Sequence, residues 1–192
     1  MPVTAIDART ALIVIDLQKG VMAMGGAGAF SELIAKTRLL LDAFRSANLP
    51  VVLVNVDGKP SGRTEQNRSL AGLPADWTEL IAELGKQPSD HLVTKRTAGA
   101  FTNTDLEQYL KSEAVSQVVI VGVATSMGVE STARHAYELG FNVTLAVDAV
   151  ADLIPECHAN SISRVFPRMA ETGTTEEIIA LLESRIKQKV ST

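Results

Sequence analysis

The chain has 192 residues and a mass of 20.5 kDa, which suits one domain and is long enough to bury a core without disulfide bonds. Its 18 basic and 22 acidic residues give a formal net charge of −4, so the clustered positive charge of a nucleic-acid binder is not expected. The single cysteine, Cys157, cannot form an internal disulfide, and no apolar run approaches the ~20 residues of a membrane span. These features predict one domain over residues 1–192, located in the reducing cytoplasm, with neither nucleic acid nor membrane as a partner.

Short apolar runs rich in β-branched residues predict buried strands whose two faces are both covered. They are Ala11–Leu17, Val51–Val56, His91–Thr94, Val115–Val123 and Asn142–Val147, with Met169–Thr172 as a sixth candidate. Between them, apolar residues recur at helical spacing, as at Leu33, Leu40 and Phe44. This alternation predicts an α/β, Rossmann-like three-layer sandwich, with a parallel sheet and helices on both faces. The longest irregular stretch, Asp57–Asp76, is predicted to be an active-site or interface loop.

Two charged residues stand where predicted strands end, which is where open parallel sheets bind their ligands. Asp16 follows the apolar residues Ala11–Ile15, and burial raises a carboxyl pKa unless a cation offsets it. Lys95, at the end of the third predicted strand, is the best candidate for that cation. The two residues are therefore either a catalytic pair or a structural ion pair.

The fourth predicted strand passes through Gly122 into Ala124-Thr125-Ser126-Met127-Gly128 and then into a helix. Free backbone N–H groups at the start of that helix suit an anion or a developing oxyanion. The alternative is an ordinary turn between strand and helix, with Ser126 as the N-cap.

Several stretches of the chain resemble the isochorismatase-like superfamily of hydrolases, in the family's order and over nearly the whole sequence. They are TALIVIDLQ, PVVLVNVD, VTKR followed by GAF, VVIVGVATSMGVESTARHAYELGFNVTLAVDAVAD, and FPRMAETGTTEEII. The resemblance implies a six-stranded parallel sheet of order 3-2-1-4-5-6 and a catalytic triad of Asp, Lys and Cys. It also implies a cis peptide bond between Val123 and Ala124, an oxyanion hole formed by the N–H groups of Ala124 and residue 128, and a homo-oligomer.

Asp16 and Lys95 match the family aspartate and lysine, whereas Gly128 stands where the family cysteine is expected. Glycine cannot attack a carbonyl group, so the covalent amidase mechanism is excluded at this position. Cys157 is not a replacement, because its neighbour His158 points about 100° away on the predicted helix and nothing nearby lowers the thiol pKa. In the family, isochorismatases also carry glycine here, and their aspartate is thought to protonate a vinyl ether while water completes the cleavage.

Three functions remain open at this point. The first is a hydrolase that uses Asp16 as general acid or base and Lys95 as its electrostatic partner on a small carboxylate or vinyl-ether substrate. The second is an inactive relative that binds a small carboxylate or amide in the retained oxyanion pocket, and the third is an assembly partner. The segment Ala124-Thr125-Ser126 resembles the amidase-like branches more than the siderophore-type isochorismatases.

Substrate contacts are expected from polar, basic and aromatic side chains near the predicted strand ends and in the long loop. The candidates are Gln18, Arg63, Trp77, Arg96 and Phe101. Trp77 can equally pack at a subunit interface, and Arg63 can equally be a solvated charge of the loop.

Neither a metal nor another cofactor is expected. The histidines His91, His135 and His158 are scattered along the chain and suggest no ligand set. After the second predicted strand, Asp57-Gly58-Lys59-Pro60 lacks the histidines found in the family's metal-binding members.

Overall fold

The computed structural model describes residues 2–66 and 69–190, and within these ranges it contains one six-stranded parallel sheet. The order β3-β2-β1-β4-β5-β6 confirms the predicted fold class and topology. The strands are β1 (Thr10–Ile15), β2 (Val51–Val56), β3 (His91–Lys95), β4 (Gln117–Val123), β5 (Asn142–Ala151) and β6 (Glu171–Gly173).

Helices cover both faces of the sheet, as expected for a parallel sheet whose strands are apolar throughout. They are α1 (Lys19–Gly25), α2 (Ser31–Ser46), α3 (Leu106–Ser112), α4 (Glu130–Glu138), α5 (Pro155–Asn160) and α6 (Thr175–Val190). Helices α3 and α4 share one core cluster with the sheet, and α2 and α6 share the other. No helix in the described ranges is long and apolar enough to cross a bilayer.

Strand β1 shows why its sequence is apolar without interruption. Ala11, Ile13 and Ile15 belong to the cluster with α3 and α4, while Leu12 and Val14 belong to the cluster with α2 and α6. Because successive side chains point to opposite faces, a central strand needs apolar residues at every position. Asp16 directly follows this strand and therefore lies at the end of the sheet where the carboxyl ends of all the parallel strands meet.

Several predicted strand boundaries were wrong by a few residues. Strand β1 ends at Ile15, and β4 begins only at Gln117. The flanking residues Leu17 and Val115 are apolar and buried but belong to no strand, so the apolar pattern extended both predicted strands too far. Strand β5 continues to Ala151, past the predicted end at Val147. Its polar residue Asp148 remains half-buried because it accepts hydrogen bonds from the backbone and hydroxyl of Thr175.

Helix α1 was not predicted. Its seven residues include Gly20 and Gly25 and none of them is buried, so the sequence carries no apolar stripe. Helix α5 forms where a helix carrying Cys157 and His158 was predicted, and it begins at Pro155, because proline is well suited to the first turn of a helix.

Candidate active site

The structure brings Asp16 and Lys95 together at the carboxyl edge of the sheet. Lys95 Nζ donates a 2.7 Å hydrogen bond to Asp16 Oδ2, although β2 separates the strands that carry the two residues. The ammonium group also donates to the carbonyl oxygens of Ala98, at 2.8 Å, and Thr97, at 3.3 Å. Three acceptors therefore hold the lysine, and its charge is directed at Asp16.

Burial gives the Asp16 carboxyl unusual acid–base properties. Its side chain is only 9% exposed, and Oδ1 is buried without a hydrogen-bond partner among the described residues. Desolvation raises the pKa of Asp16 from 3.8 to about 6, and the charge and hydrogen bond of Lys95 lower it only in part. The carboxyl can therefore carry a proton near neutral pH, and Oδ1 is the oxygen free to hold it.

Gly128 lies directly beside this ion pair. A Cβ atom built on Gly128 would lie 3.2 Å from Asp16 Oδ2 and 2.9 Å from Ile15 Cγ2. Ile15 is fully buried and Cγ2 is its branched methyl group, and the Val123 carbonyl oxygen would lie 3.2 Å from the same Cβ, so a side chain at position 128 fits only if Ile15 shifts. Position 128 thus lies close to the Asp16 carboxyl group, in tightly packed surroundings.

The π-helical turn Thr125–Val129 places Gly128 there. Gly122 precedes it with φ of +118°, and a Cβ at that position would overlap the Ile15 carbonyl oxygen, so only glycine fits against β1. The Val123–Ala124 peptide bond is cis, as the resemblance implies. Oxyanion binding by the N–H groups of Ala124 and Gly128 stays a prediction.

Polar contacts from the segment after β5 hold this turn in place, and the sequence analysis did not identify them. Asp152 Oδ2 accepts hydrogen bonds from both the backbone N–H and the hydroxyl of Ser126, each 2.8 Å long. The Thr125 hydroxyl lies 2.9 Å from His158 Nδ1. Ser126 is therefore tied to Asp152 instead of capping a helix in the ordinary way.

Gln18 and Trp77 join the long loop to the strand ends. The Gln18 side chain is fully buried, accepts a hydrogen bond from Val56 N, and donates to the carbonyl oxygens of Val56 and Trp77. The side chain of Trp77 packs so closely on Gly20 that a Cβ there would lie 2.9 Å from Trp77 Cβ. Through these contacts, Gln18 and Gly20 hold the C-terminal end of the long loop, near Trp77, against the end of β1 and the start of α1. Contact of Gln18 or Trp77 with a substrate stays a prediction.

The other candidate substrate contacts lie in different surroundings. Arg63 lies on the exposed loop, and Arg96, whose side chain is 77% exposed, forms a two-point ion pair with Asp57. Phe101 packs into the core, with its ring 5.3 Å from that of His135 and 6.2 Å from that of Phe141. The ring of Phe101 is thus largely used in packing, whereas the two arginines remain on the surface.

The three histidines lie in separate environments. His91 stacks on Tyr109 with a ring separation of 3.7 Å, His135 contacts Phe101, and His158 contacts Thr125. In residues 2–66 and 69–190, no three His, Cys, Asp or Glu side chains are grouped to hold a metal ion. Cys157 is a half-buried free thiol on α5.

Comparison with known proteins identifies the family. Residues 10–177 match the model of the isochorismatase domain. The chain is 37% identical to the uncharacterized isochorismatase family protein YwoC of Bacillus subtilis over 178 residues, covering 89% of this chain and 93% of YwoC. It is 29% identical over 185 residues to the ureidoacrylate amidohydrolase RutB of Stutzerimonas stutzeri, covering 81% of this chain and 75% of RutB.

A solved structure leads to the same conclusion. An isochorismatase family protein from Burkholderia thailandensis superimposes with a TM-score of 0.87 at 35% sequence identity, covering 93% of this chain and 98% of that protein. The chain therefore belongs to the isochorismatase family of hydrolases.

Proposed function

We propose that this protein is a hydrolase without a nucleophilic cysteine, in which Asp16 is the general acid and Lys95 its electrostatic partner. The observation that carries the proposal is the buried Asp16 carboxyl, which has one oxygen hydrogen-bonded to Lys95 and the other without a hydrogen-bond partner in the described part of the chain. General acid catalysis needs a group whose pKa lies near the working pH, and the pKa of about 6 meets that need.

A vinyl ether that carries a carboxylate is the substrate class that suits this arrangement. Asp16 Oδ1 would give its proton to the terminal vinyl carbon, and the ether oxygen would stabilise the cation that forms on the adjacent carbon. Water then adds to that carbon and gives up a proton that restores the Asp16 carboxyl, and the resulting hemiketal loses the alcohol as its hydroxyl proton passes to the ether oxygen. Lys95 would stabilise the Asp16 carboxylate left by the first step, so no covalent enzyme intermediate is needed.

Amide hydrolysis through an acyl-enzyme is less well supported for this chain. The relative RutB is named an amidohydrolase, but Gly128 supplies no nucleophile beside Asp16. The Ala124 and Gly128 N–H groups could still bind the substrate carboxylate. A small anionic substrate therefore remains compatible with the site, whereas a covalent amidase mechanism does not.

The pH dependence of turnover tests the acid role. With isochorismate and simpler carboxylated vinyl ethers as substrates, we expect kcat/KM to be constant below the pKa of about 6 and to fall above it, by about tenfold per pH unit. Alkylation of Cys157 with iodoacetamide is the control and should leave the rate unchanged. A rate that instead rises through pH 6 would mean that Asp16 acts as a base.

A binding protein without turnover is the second candidate, because Gly128 removes the group that the related amidases use. Saturable binding of a small carboxylate, with no product from any substrate tested, would favour it. Detection of product would eliminate it.

Gly128→Cys tests whether the site is preorganised. In a Cys157→Ala background, we expect the new thiol to react with iodoacetamide about tenfold faster at pH 7 than Cys157 does in the wild type, because Lys95 and the start of α4 favour the thiolate. An ordinary, slow thiol at position 128 would count against a preorganised site.

We also propose that the protein acts on a small molecule in the cytoplasm as a homo-oligomer. Exposed apolar side chains support the assembly, because Met127 on the π-helical turn is 59% exposed, and Leu153 and Ile154 after β5 are 47% and 45% exposed.

A further inference from the structure

Thr132 makes two hydrogen bonds with a single buried hydroxyl group. It lies on α4, one turn after Gly128, and is fully buried. Its Oγ1 donates to the carbonyl oxygen of Gly128, at 2.6 Å, and accepts from the backbone N–H of Ala100, at 3.1 Å. The hydroxyl therefore joins two segments that are far apart in the sequence.

Ala100 belongs to the segment that holds the Lys95 ammonium group. The carbonyl oxygens of Thr97 and Ala98 accept hydrogen bonds from Lys95 Nζ, and the Thr97 hydroxyl donates to the carbonyl oxygen of Gly99. This segment, residues 97–100, lies directly against α4, because a Cβ on Gly99 would be 3.3 Å from the Ser131 carbonyl oxygen. We call it the lysine loop.

We propose that Thr132 is a positioning residue of this site, whose hydroxyl fixes the lysine loop against the Gly128 turn and thereby sets how Lys95 meets Asp16. The expected effect of Thr132 on turnover rests on the proposed function, whereas its two hydrogen bonds and its expected effect on the Asp16 pKa do not. Thr132 touches neither Asp16 nor Lys95 in this scheme and acts through the two backbone groups that it joins.

Replacing the hydroxyl with a methyl group of similar size separates positioning from packing. In Thr132→Val the Ala100 N–H loses its acceptor and the Gly128 carbonyl loses this donor, and both residues are buried. The lysine loop would then be free to shift, and the contact between Lys95 and Asp16 would weaken. Because Lys95 lowers the pKa of Asp16, that pKa would rise.

The experiment measures the Asp16 pKa by carboxyl ¹³C NMR without substrate, with Asp16→Asn used to assign the signal. We expect Thr132→Val and Thr132→Ala to raise the pKa by about 0.5 unit or more, and Thr132→Ser to keep the wild-type value. In turnover assays, kcat should fall roughly tenfold in Thr132→Val with little change in KM.

Thr144→Val is the matched control, because Thr144 is also fully buried and its hydroxyl is hydrogen-bonded, to Gln117 Nε2. It should lose stability yet leave the Asp16 pKa unchanged. An Asp16 pKa that moves equally in Thr144→Val, or that Thr132→Ser fails to restore, would overturn the proposal. Rapid hydrogen exchange of the Ala100 amide in the wild type would also overturn the proposal, because it would mean that the hydrogen bond to Thr132 is not stable. This measurement does not depend on whether the variants fold. Failure of the proposed function would appear elsewhere, as turnover retained by Asp16→Asn.

Discussion

Asp16→Asn is expected to lower turnover by roughly 10²- to 10⁴-fold, the usual contribution of a general acid. The amide has the shape of the carboxyl group but cannot donate an acidic proton. Asp16 has φ of +54°, a conformation that asparagine tolerates about as well as aspartate, so the backbone should keep its course. The measurement is kcat/KM at pH 5, where the wild-type carboxyl is mostly protonated, together with circular dichroism to verify folding.

Asp148→Asn is a suitable control for this variant. Asp148 is a half-buried aspartate on β5, whose carboxylate accepts two hydrogen bonds from Thr175 and lies 3.5 Å from Lys36. It should lose some stability and keep its turnover. If Asp16→Asn retains more than about a tenth of the wild-type rate, Asp16 is not the general acid.

The edge of the sheet that holds the site could be predicted because it depends on a short stretch of sequence. The apolar run Ala11–Ile15 identifies a central strand, and Asp16 is the first polar residue after it. Lys95 ends another strand, and parallel strands end at the same edge. Local pattern and fold rules together were enough to place both charges there.

The supporting contacts could not be predicted, because each joins segments that are distant in the sequence. Thr132 meets Ala100 across 32 positions, and Gln18 meets Trp77 across 59. A buried threonine on an apolar helix face and a glutamine after a strand look like ordinary residues in the sequence. Their roles depend on which backbone groups the fold brings beside them.

The burial of Phe101 could not be predicted from its position in the sequence. Phe101 was a candidate for substrate contact, and in this structure the residue is only 6% exposed and packs within the core, so its contact with a substrate stays a prediction. The loop that wraps Lys95 turns back against α4, so the residues that follow it pack inward. The burial of Phe101 therefore depends on how this loop packs on α4, which its position in the sequence does not specify.

Lys95→Met is expected to change both the acidity of Asp16 and the dependence of stability on pH. Methionine keeps the apolar stem but removes the charge and the hydrogen bond that lower the pKa of Asp16, while desolvation remains. The Asp16 pKa should therefore rise above about 6, and the decline of turnover should move to higher pH. The rate at pH 5 should fall roughly 10- to 100-fold, because the carboxylate formed by proton transfer loses its stabilising cation.

The same variant gives a stability test whose sign follows from proton binding. A carboxyl whose folded pKa exceeds its unfolded value binds protons more tightly in the folded state, so the free energy of unfolding falls as the pH rises between those two values. In the wild type this contribution is lost between about pH 4 and 6, whereas in Lys95→Met the loss should continue above pH 6 at about 1.4 kcal/mol per pH unit. Urea unfolding between pH 5 and 8 measures it, with Lys36→Met as the control, since Lys36 lies near Asp148 instead of Asp16. Parallel stability curves for Lys95→Met and the wild type above pH 6 would show that Lys95 does not govern the protonation of Asp16.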